Sequence, residues 1–400
     1  MLAPQAAPLG LVETQRVVLH REDDPLRLAS GRTLAPVEVA YETYGELSPR
    51  ADNAVVVCHA LTGDAHAAGH HGDPARRGWW DTLIGPGKPV DTDRFFVVCA
   101  NLLGGCQGTT GPSSTDPSTG RPYGLDFPLL QMGDLVAVHR RLLAHLGVAR
   151  PLAAIGGSLG GMQVLEWALR HPGEIDAAVM VGASSRLTAQ NIAFSAVARE
   201  AIVRDPGFRG GQYYGDDGGG GPSAGLSVAR MMAHITYLSE QAFAEKFGRR
   251  LQGRGEEVAP VPRFGVDFEV ESYLAHQGES FLARFDANTY LYLTRVMDYF
   301  DPFADRRAAA RLAEVGTRSL VLSFDSDWRF DTAHSLRLVR HLEHAGAPVT
   351  FREIASPWGH DSFLLDIPDY HATVRAFLGR AAEDRAAERA PRGAAAPVTR

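Results

Sequence analysis

The sequence predicts an α/β fold: a mostly parallel sheet with helices on both faces, interrupted by one long helical insertion. Three observations carry this. Short β-branched runs alternate with helical patterns along the chain. The alternation lapses between Ser184 and about Pro302 and then resumes. The glycine-hemmed stretch GGSLGG, residues 156–161, lies between one such run and a helical pattern.

The elements follow in order. AVVVCHA from Ala54, RFFVVCAN from Arg94 and LAAIGG from Leu152 are compact apolar runs of the kind that fill buried parallel strands. GMQVLEWALRHP from Gly161 carries apolar residues at helical spacing and stops at Pro172. DAAVMVG from Asp176 is a fourth strand, and RSLVLSF from Arg318 and VTFREI from Val349 complete the set. The expected organisation is a core of residues 1–184 and 303–380, a helical insertion of residues 185–302, and a frayed tail of residues 381–400 that is poor in large apolar groups. Within the insertion, GDDGGGGPSAG from Gly215 reads as a flexible loop, because no lysine follows at phosphate-loop spacing.

Composition narrows the function. The 400 residues are 45% hydrophobic and 22% charged, with 40 Lys+Arg against 47 Asp+Glu and a formal charge of -7. Nothing in that balance gathers nucleic acid or an anionic membrane. No apolar run approaches the roughly 20 residues of a membrane span, and the opening residues lack a basic start before an apolar stretch, so a cytoplasmic protein facing small molecules is expected. Cys58, Cys99 and Cys106 are odd in number and show no metal-ligand spacing, which argues against a disulfide framework.

Gly156-Gly157-Ser158-Leu159-Gly160 satisfies G-x-S-x-G between a strand and a helix, the context in which that pattern marks a nucleophile. Glycines let strand and helix approach closely while the serine takes a strained conformation at the helix N-terminus. The amide of Leu159 would then face a developing oxyanion. Serine needs a base, itself oriented by an acid. His360 in SPWGHDSFL follows the last strand and is the candidate base, and of Asp325 and Asp327, both just after RSLVLSF, Asp327 is preferred while Asp325 braces the turn. The order Ser158, Asp327, His360 is that of the α/β-hydrolase fold. The loop after AVVVC supplies a second oxyanion donor, the amide of Leu61. His66, His70 and His71 cluster near Asp64 and Asp73, but the pattern lacks HExxH and glycines interrupt it, so a polar active-site loop is expected and no metal. HLEH from His341 is one residue short of HxxEH and reads as a solvated helix face.

Longer matches go further. YETYGEL, CHALTGDAHAAG, GWWDTLIGPGKPVDTDRFFVVCANLLGGCQGTTGPSS, GGSLGGMQVLEWA, AQNIAF, VARMMAHITYLS, RFDANTYLYLTRVMDYFDP and GHDSFLLD together resemble the homoserine O-acyltransferases of methionine biosynthesis, from about Val17 to Leu378. The resemblance implies that acyl-CoA, a co-substrate rather than a bound cofactor, acylates Ser158. The hydroxyl of an amino acid then attacks, with His360 acting as base and then acid. It implies substrate contacts at Arg230 and Asp361, where a guanidinium suits an α-carboxylate and a carboxylate an α-ammonium. It also makes the insertion a lid that excludes water and joins a homodimer. Arg329 in SDWRF, where acetyl-using relatives commonly carry leucine, resembles the succinyl-CoA branch. A charged hydrogen bond to a distal carboxylate is worth about 1.5 to 3 kcal/mol, roughly tenfold or more in selectivity. HALTGDAHAAG and GCQGTTGPSSTDP look more like the acetyl branch, so succinyl is favoured and acetyl is the alternative. Serine as acceptor, or water in a plain esterase, would leave the triad unchanged.

Overall fold

A computed structural model describes residues 9–215, 220–252 and 264–389. Its main sheet has eight strands: β1 (Gln15–His20), β2 (Val37–Tyr44), β3 (Ala54–Cys58), β4 (Phe96–Ala100), β5 (Ala153–Gly157), β6 (Ala177–Val181), β7 (Arg318–Phe324) and β8 (Val349–Ile354). They lie in the order β1-β2-β4-β3-β5-β6-β7-β8. From β4 to β8 every pairing is parallel; β1 to β2 and β2 to β4 are antiparallel. All six apolar runs picked from the sequence are strands.

The two antiparallel strands, QRVVLH and VEVAYETY, are additions to that set. Their polar residues broke the apolar continuity that marks the others. Glu42 is nevertheless wholly buried on β2.

Along β5 the side chains alternate between two apolar clusters, Ala153 and Ile155 in one and Ala154 in the other, as the two-residue period of a strand requires. One cluster is closed by helix α1 (Met132–His145) and by Met162, Leu165 and Trp167 of helix α2 (Leu159–Arg170). The other is closed by Tyr370, Val374 and Leu378 of the last helix. A parallel sheet buried on both faces leaves its strand carboxyl ends as the place where loops can build a site.

Between β6 and β7 the chain forms helices α3 (Ala189–Arg204), α4 (Ser223–Tyr237), α5 (Glu240–Lys246), α6 (Glu269–Leu282), α7 (Ala287–Asp298) and α8 (Ala308–Val315). Helix α4 packs closely between α3 and α6. A Cβ on Gly225 would stand 2.3 Å from the carbonyl oxygen of Ala201, and one on Gly278 would stand 2.1 Å from Ser227 Oγ. The glycine-rich loop lies partly outside the described residues.

After β7, helix α9 (Thr332–His344) leads to β8, and helix α10 spans Pro368–Arg389. The helix thus continues past residue 381, where a frayed tail was expected to begin, and the rest of that expected tail lies outside the described residues. Ala381 and Arg385 are buried, and an interior arginine that meets an aspartate and three carbonyls holds the helix where apolar content alone would not.

Candidate active site

Ser158 is the N-cap of α2 with φ 56° and ψ -122°, a conformation that costs an L-residue energy and persists only where its surroundings enforce it. Its neighbours explain the glycines. A Cβ on Gly156 would lie 2.3 Å from the backbone of Gly160, one on Gly160 would lie 2.0 Å from the Cys58 carbonyl oxygen, and one on Gly161 would lie 2.6 Å from Ala183 Cβ. Strand β5, helix α2 and the end of β3 thus meet backbone to backbone. The Ser158 side chain emerges at their junction, 7% exposed.

The loop after β7 turns sharply and puts Asp327 beneath the histidine of the loop after β8. His360 Nδ1–H donates to Asp327 Oδ2 at 2.6 Å, while Asp327 Oδ1 accepts from the amides of Arg329 at 3.0 Å and Phe330 at 2.9 Å. Both side chains are buried. Asp325 instead accepts from the Ser356 amide at 2.9 Å and ties the two loops together. The imidazole of His360 is boxed by Phe330 and Phe363, at ring separations of 5.1 and 5.7 Å. Its Nε2 is buried with no hydrogen-bond partner among the described residues. The backbone links the two: the Ser158 amide donates to the Val181 carbonyl at 2.9 Å, and a Cβ on the residue after it, Gly182, would be 3.7 Å from His360 Cε1. No hydrogen bond joins Ser158 Oγ to His360 Nε2, as is common before substrate draws such a pair together.

The Leu61 and Leu159 amides donate no hydrogen bond within the described residues. The loop bearing Leu61 is held rigidly. His59 Nδ1–H donates to Ala60 O at 2.8 Å, and His59 Nε2 accepts from the Leu102 amide at 3.1 Å. Burial pushes the His59 pKa down to about 4, so the ring stays neutral and keeps that pattern. Gln163 on α2 donates to the carbonyls of both His59 and Leu159, and its own oxygen meets His139 Nε2 at 2.9 Å.

A cavity of about 310 Å³ opens over His360, lined among others by Leu61, Arg230, Tyr237, Arg284 and Asp361. Arg230 donates to Thr62 Oγ1 at 3.2 Å, lies 4.6 Å over the Phe281 ring, and has a buried Nε without a partner. Arg230 and Asp361 share the cavity without forming an ion pair, so each remains available to an opposite charge. Burial raises the pKa of Asp361, against the opposing pull of His360 and Arg230. Arg329 is buried, donates to Thr236 Oγ1 at 2.7 Å and lies 5.4 Å over Tyr237. It touches a lining residue but is not itself among those lining the cavity.

Of the histidine cluster, His66 and His71 come together. Both donate to the buried Glu42, His66 Nδ1 at 3.0 Å and His71 Nε2 at 2.8 Å, and their rings lie 3.8 Å apart. These groups place three possible ligand atoms within 4.8 Å of one another. Glu42 also accepts from Thr14 and Tyr44, so a cation would have to displace bonds already made. Glu42, Gln163, Tyr237 and Arg284 went unremarked in the sequence. Each sits in an ordinary helical, strand or turn pattern, and only tertiary packing brings it to the site.

A strained serine at the turn from β5 to α2, with a carboxylate and histidine following β7 and β8, defines a protein of the α/β-hydrolase fold. The model of the α/β-hydrolase fold family matches residues 53–367. The homoserine O-succinyltransferase of Nocardioides sp. (strain ATCC BAA-499 / JS614) is 62% identical over 371 residues, 93% of this chain and 99% of that one. The homoserine O-acetyltransferase of Rhodospirillum rubrum is 52% identical, covering 90% of this chain and 92% of its own. Among solved structures, homoserine O-acetyltransferase from Bacillus anthracis superposes with a TM-score of 0.83 at 28% identity, over 93% of this chain and 99% of that one. The chain belongs to the homoserine O-acyltransferase family.

Proposed function

We propose that the protein transfers an acyl group from acyl-CoA to the side-chain hydroxyl of L-homoserine, with Ser158, His360 and Asp327 as its catalytic triad. Ser158 Oγ attacks the thioester carbonyl while His360 Nε2 takes its proton. The oxyanion of the tetrahedral intermediate is met by the Leu61 and Leu159 amides. Collapse breaks the C–S bond, the CoA thiol leaves with the proton from His360, and an acyl-serine remains. The homoserine hydroxyl then attacks that ester, gives its proton to His360, and on collapse Ser158 regains the proton and the O-acyl product departs. Asp327 holds the imidazole tautomer and stabilises the imidazolium that forms in each half.

The observation that carries the acceptor assignment is that Arg230 and Asp361 line the cavity beside His360 with no ion pair among the described residues. An α-amino acid brings one carboxylate and one ammonium, which satisfy both groups at once. Helices α3–α7 would form a lid that keeps water from the acyl-serine. On α3 and α4, Val197, Val203, Val228 and Ile235 are exposed, a surface suited to a second copy and so to a homodimer. No helix among the described residues is long and apolar enough to cross a membrane, which fits the cytoplasmic location we assign.

Succinyl-CoA is our favoured donor. Arg329 brings a buried cation, with no carboxylate in ion-pair range among the described residues, two residues from the triad acid and against Tyr237. The test is CoA release from succinyl-CoA and acetyl-CoA, each with no acceptor, with homoserine or with serine. Homoserine-dependent release from succinyl-CoA is expected. Release from acetyl-CoA alone would return Arg329 to a structural role, and release indifferent to acceptor would make the protein a hydrolase.

A further inference from the structure

Arg284 stands in the short turn between α6 and α7, exposed at the rim of the cavity that Arg230 enters from within. Its backbone is pinned, since the Gln107 side-chain amide donates to its carbonyl. Its guanidinium makes one hydrogen bond, to the Thr62 carbonyl at 3.0 Å, and no ion pair within the described residues. The ring of Phe281 carries Arg230 at 4.6 Å and Arg284 at 5.3 Å, so two like charges share one aromatic. Like charges held this close are unfavourable unless an anion joins them. Arg230 is accounted for by the acceptor carboxylate. Arg284 is not.

We infer that Arg284 binds a phosphate group of the acyl donor's coenzyme A at the mouth of the cavity. The inference rests on the acyltransferase reading. A pantetheine arm must carry the thioester inward to Ser158 while the charged nucleotide end stays near solvent, and Arg284 is the exposed guanidinium on that path with donors to spare. The bond to the Thr62 carbonyl aims the side chain across the opening, next to the loop that bears Leu61. A guanidinium there also suits the distal carboxylate of a dicarboxylic acyl group, the same chemistry from another source.

The experiment compares wild type, Arg284→Gln and Arg284→Lys, using acetyl and succinyl thioesters both of coenzyme A and of pantetheine, which lacks the nucleotide phosphates. The expected result is that Arg284→Gln raises KM for both CoA thioesters about tenfold or more. KM for the pantetheine thioesters and for homoserine stays unchanged, and Arg284→Lys recovers part of the loss. Loss confined to the two succinyl thioesters would move Arg284 to the acyl carboxylate and overturn the phosphate assignment. An equal loss on CoA and pantetheine thioesters would also overturn it, since Arg284 would then act only through Thr62. No change with any donor would overturn it outright. Wild-type transfer to homoserine, measured alongside, tests the acyltransferase reading separately.

Discussion

Gln163 Nε2 donates to the carbonyl oxygen of His59 at 3.1 Å and so joins helix α2 to the loop after β3. The same nitrogen reaches the Leu159 carbonyl at 3.3 Å. One side chain therefore fixes the spacing of the two backbone segments whose amides we assign to the oxyanion. Replacing Gln163 by alanine should lower kcat roughly 10- to 100-fold by letting those donors drift. It should also cost about 1–3 kcal/mol of stability, because buried polar partners lose their bonds. Steady-state kinetics and thermal unfolding on the same preparation check both. Unchanged kcat with lowered stability would confine Gln163 to a structural role.

Asp325 and Asp327 stand two residues apart in one loop, yet they do different work. The Asp327 carboxylate accepts from His360 Nδ1–H, whereas the Asp325 carboxylate accepts from the Ser356 amide. Asp327→Asn should lower kcat by a factor on the order of 10⁴, since an amide favours the wrong imidazole tautomer. Asp325→Asn should leave kcat within a few-fold and reduce stability by about 1 kcal/mol. Equal loss of kcat in both variants would sink the assignment of Asp327 as the triad acid.

Legibility in the sequence followed burial. Five of the six parallel strands could be found because a strand covered on both faces must be apolar throughout, while β8, at the sheet edge and largely exposed, showed only by its β-branched and aromatic residues. β1 and β2 could not, because polar residues such as Arg16, Glu38 and Glu42 interrupt their apolar pattern. Ser158 was plain because its glycines are dictated by local backbone contact. The meeting of His66 and His71 on Glu42 left no trace in the sequence, because the chain there is an irregular loop with no period to say which side chains converge. Gln163 hides in an apolar helix, and Arg385 hides in a tail of alanines and charges.

Gly160 tests the geometry of the turn. Alanine there would put a methyl 2.0 Å from the Cys58 carbonyl oxygen, where backbone stands on both sides and no side chain can move away. Gly160→Ala should destabilise the fold by about 1–3 kcal/mol or more and nearly abolish activity. Gly157→Ala meets the Phe363 ring at 2.5 Å, and a ring can shift at lower cost. Denaturant unfolding of the two variants should rank Gly160→Ala as the less stable.

Arg385 is 5% exposed and donates to the carbonyls of Asp52, Arg150 and Pro151, besides its ion pair with Asp176. Replacing it with alanine leaves Asp176 partly buried beside Arg150 alone. Loss of about 3–5 kcal/mol is expected for a broken buried pair. Ending the chain after residue 380, which removes Arg385 with the last turns of α10, should be similarly harmful, and thermal unfolding of that truncation checks it.

The Glu42–His66 pair should leave a signature in stability against pH. Burial works to raise the Glu42 pKa, but hydrogen bonds from His66, Tyr44 and Thr14 outweigh it and hold the carboxyl below its usual range. Burial works to lower His66, and the bond to Glu42 together with its charge outweighs that and lifts the imidazole above 6.5. A raised histidine contributes stability that is complete below the unfolded value of 6.5 and is lost as pH rises through the folded value. A lowered glutamate contributes above its unfolded 4.5, and that contribution is lost as pH falls through the folded value. Both are present together between about pH 4.5 and 6.5. Thermal unfolding from pH 5 to 9 should therefore show wild type losing its advantage over His66→Ala as pH climbs past 6.5. A constant difference between the two across that range would mean that His66 remains neutral and acts through its hydrogen bond alone.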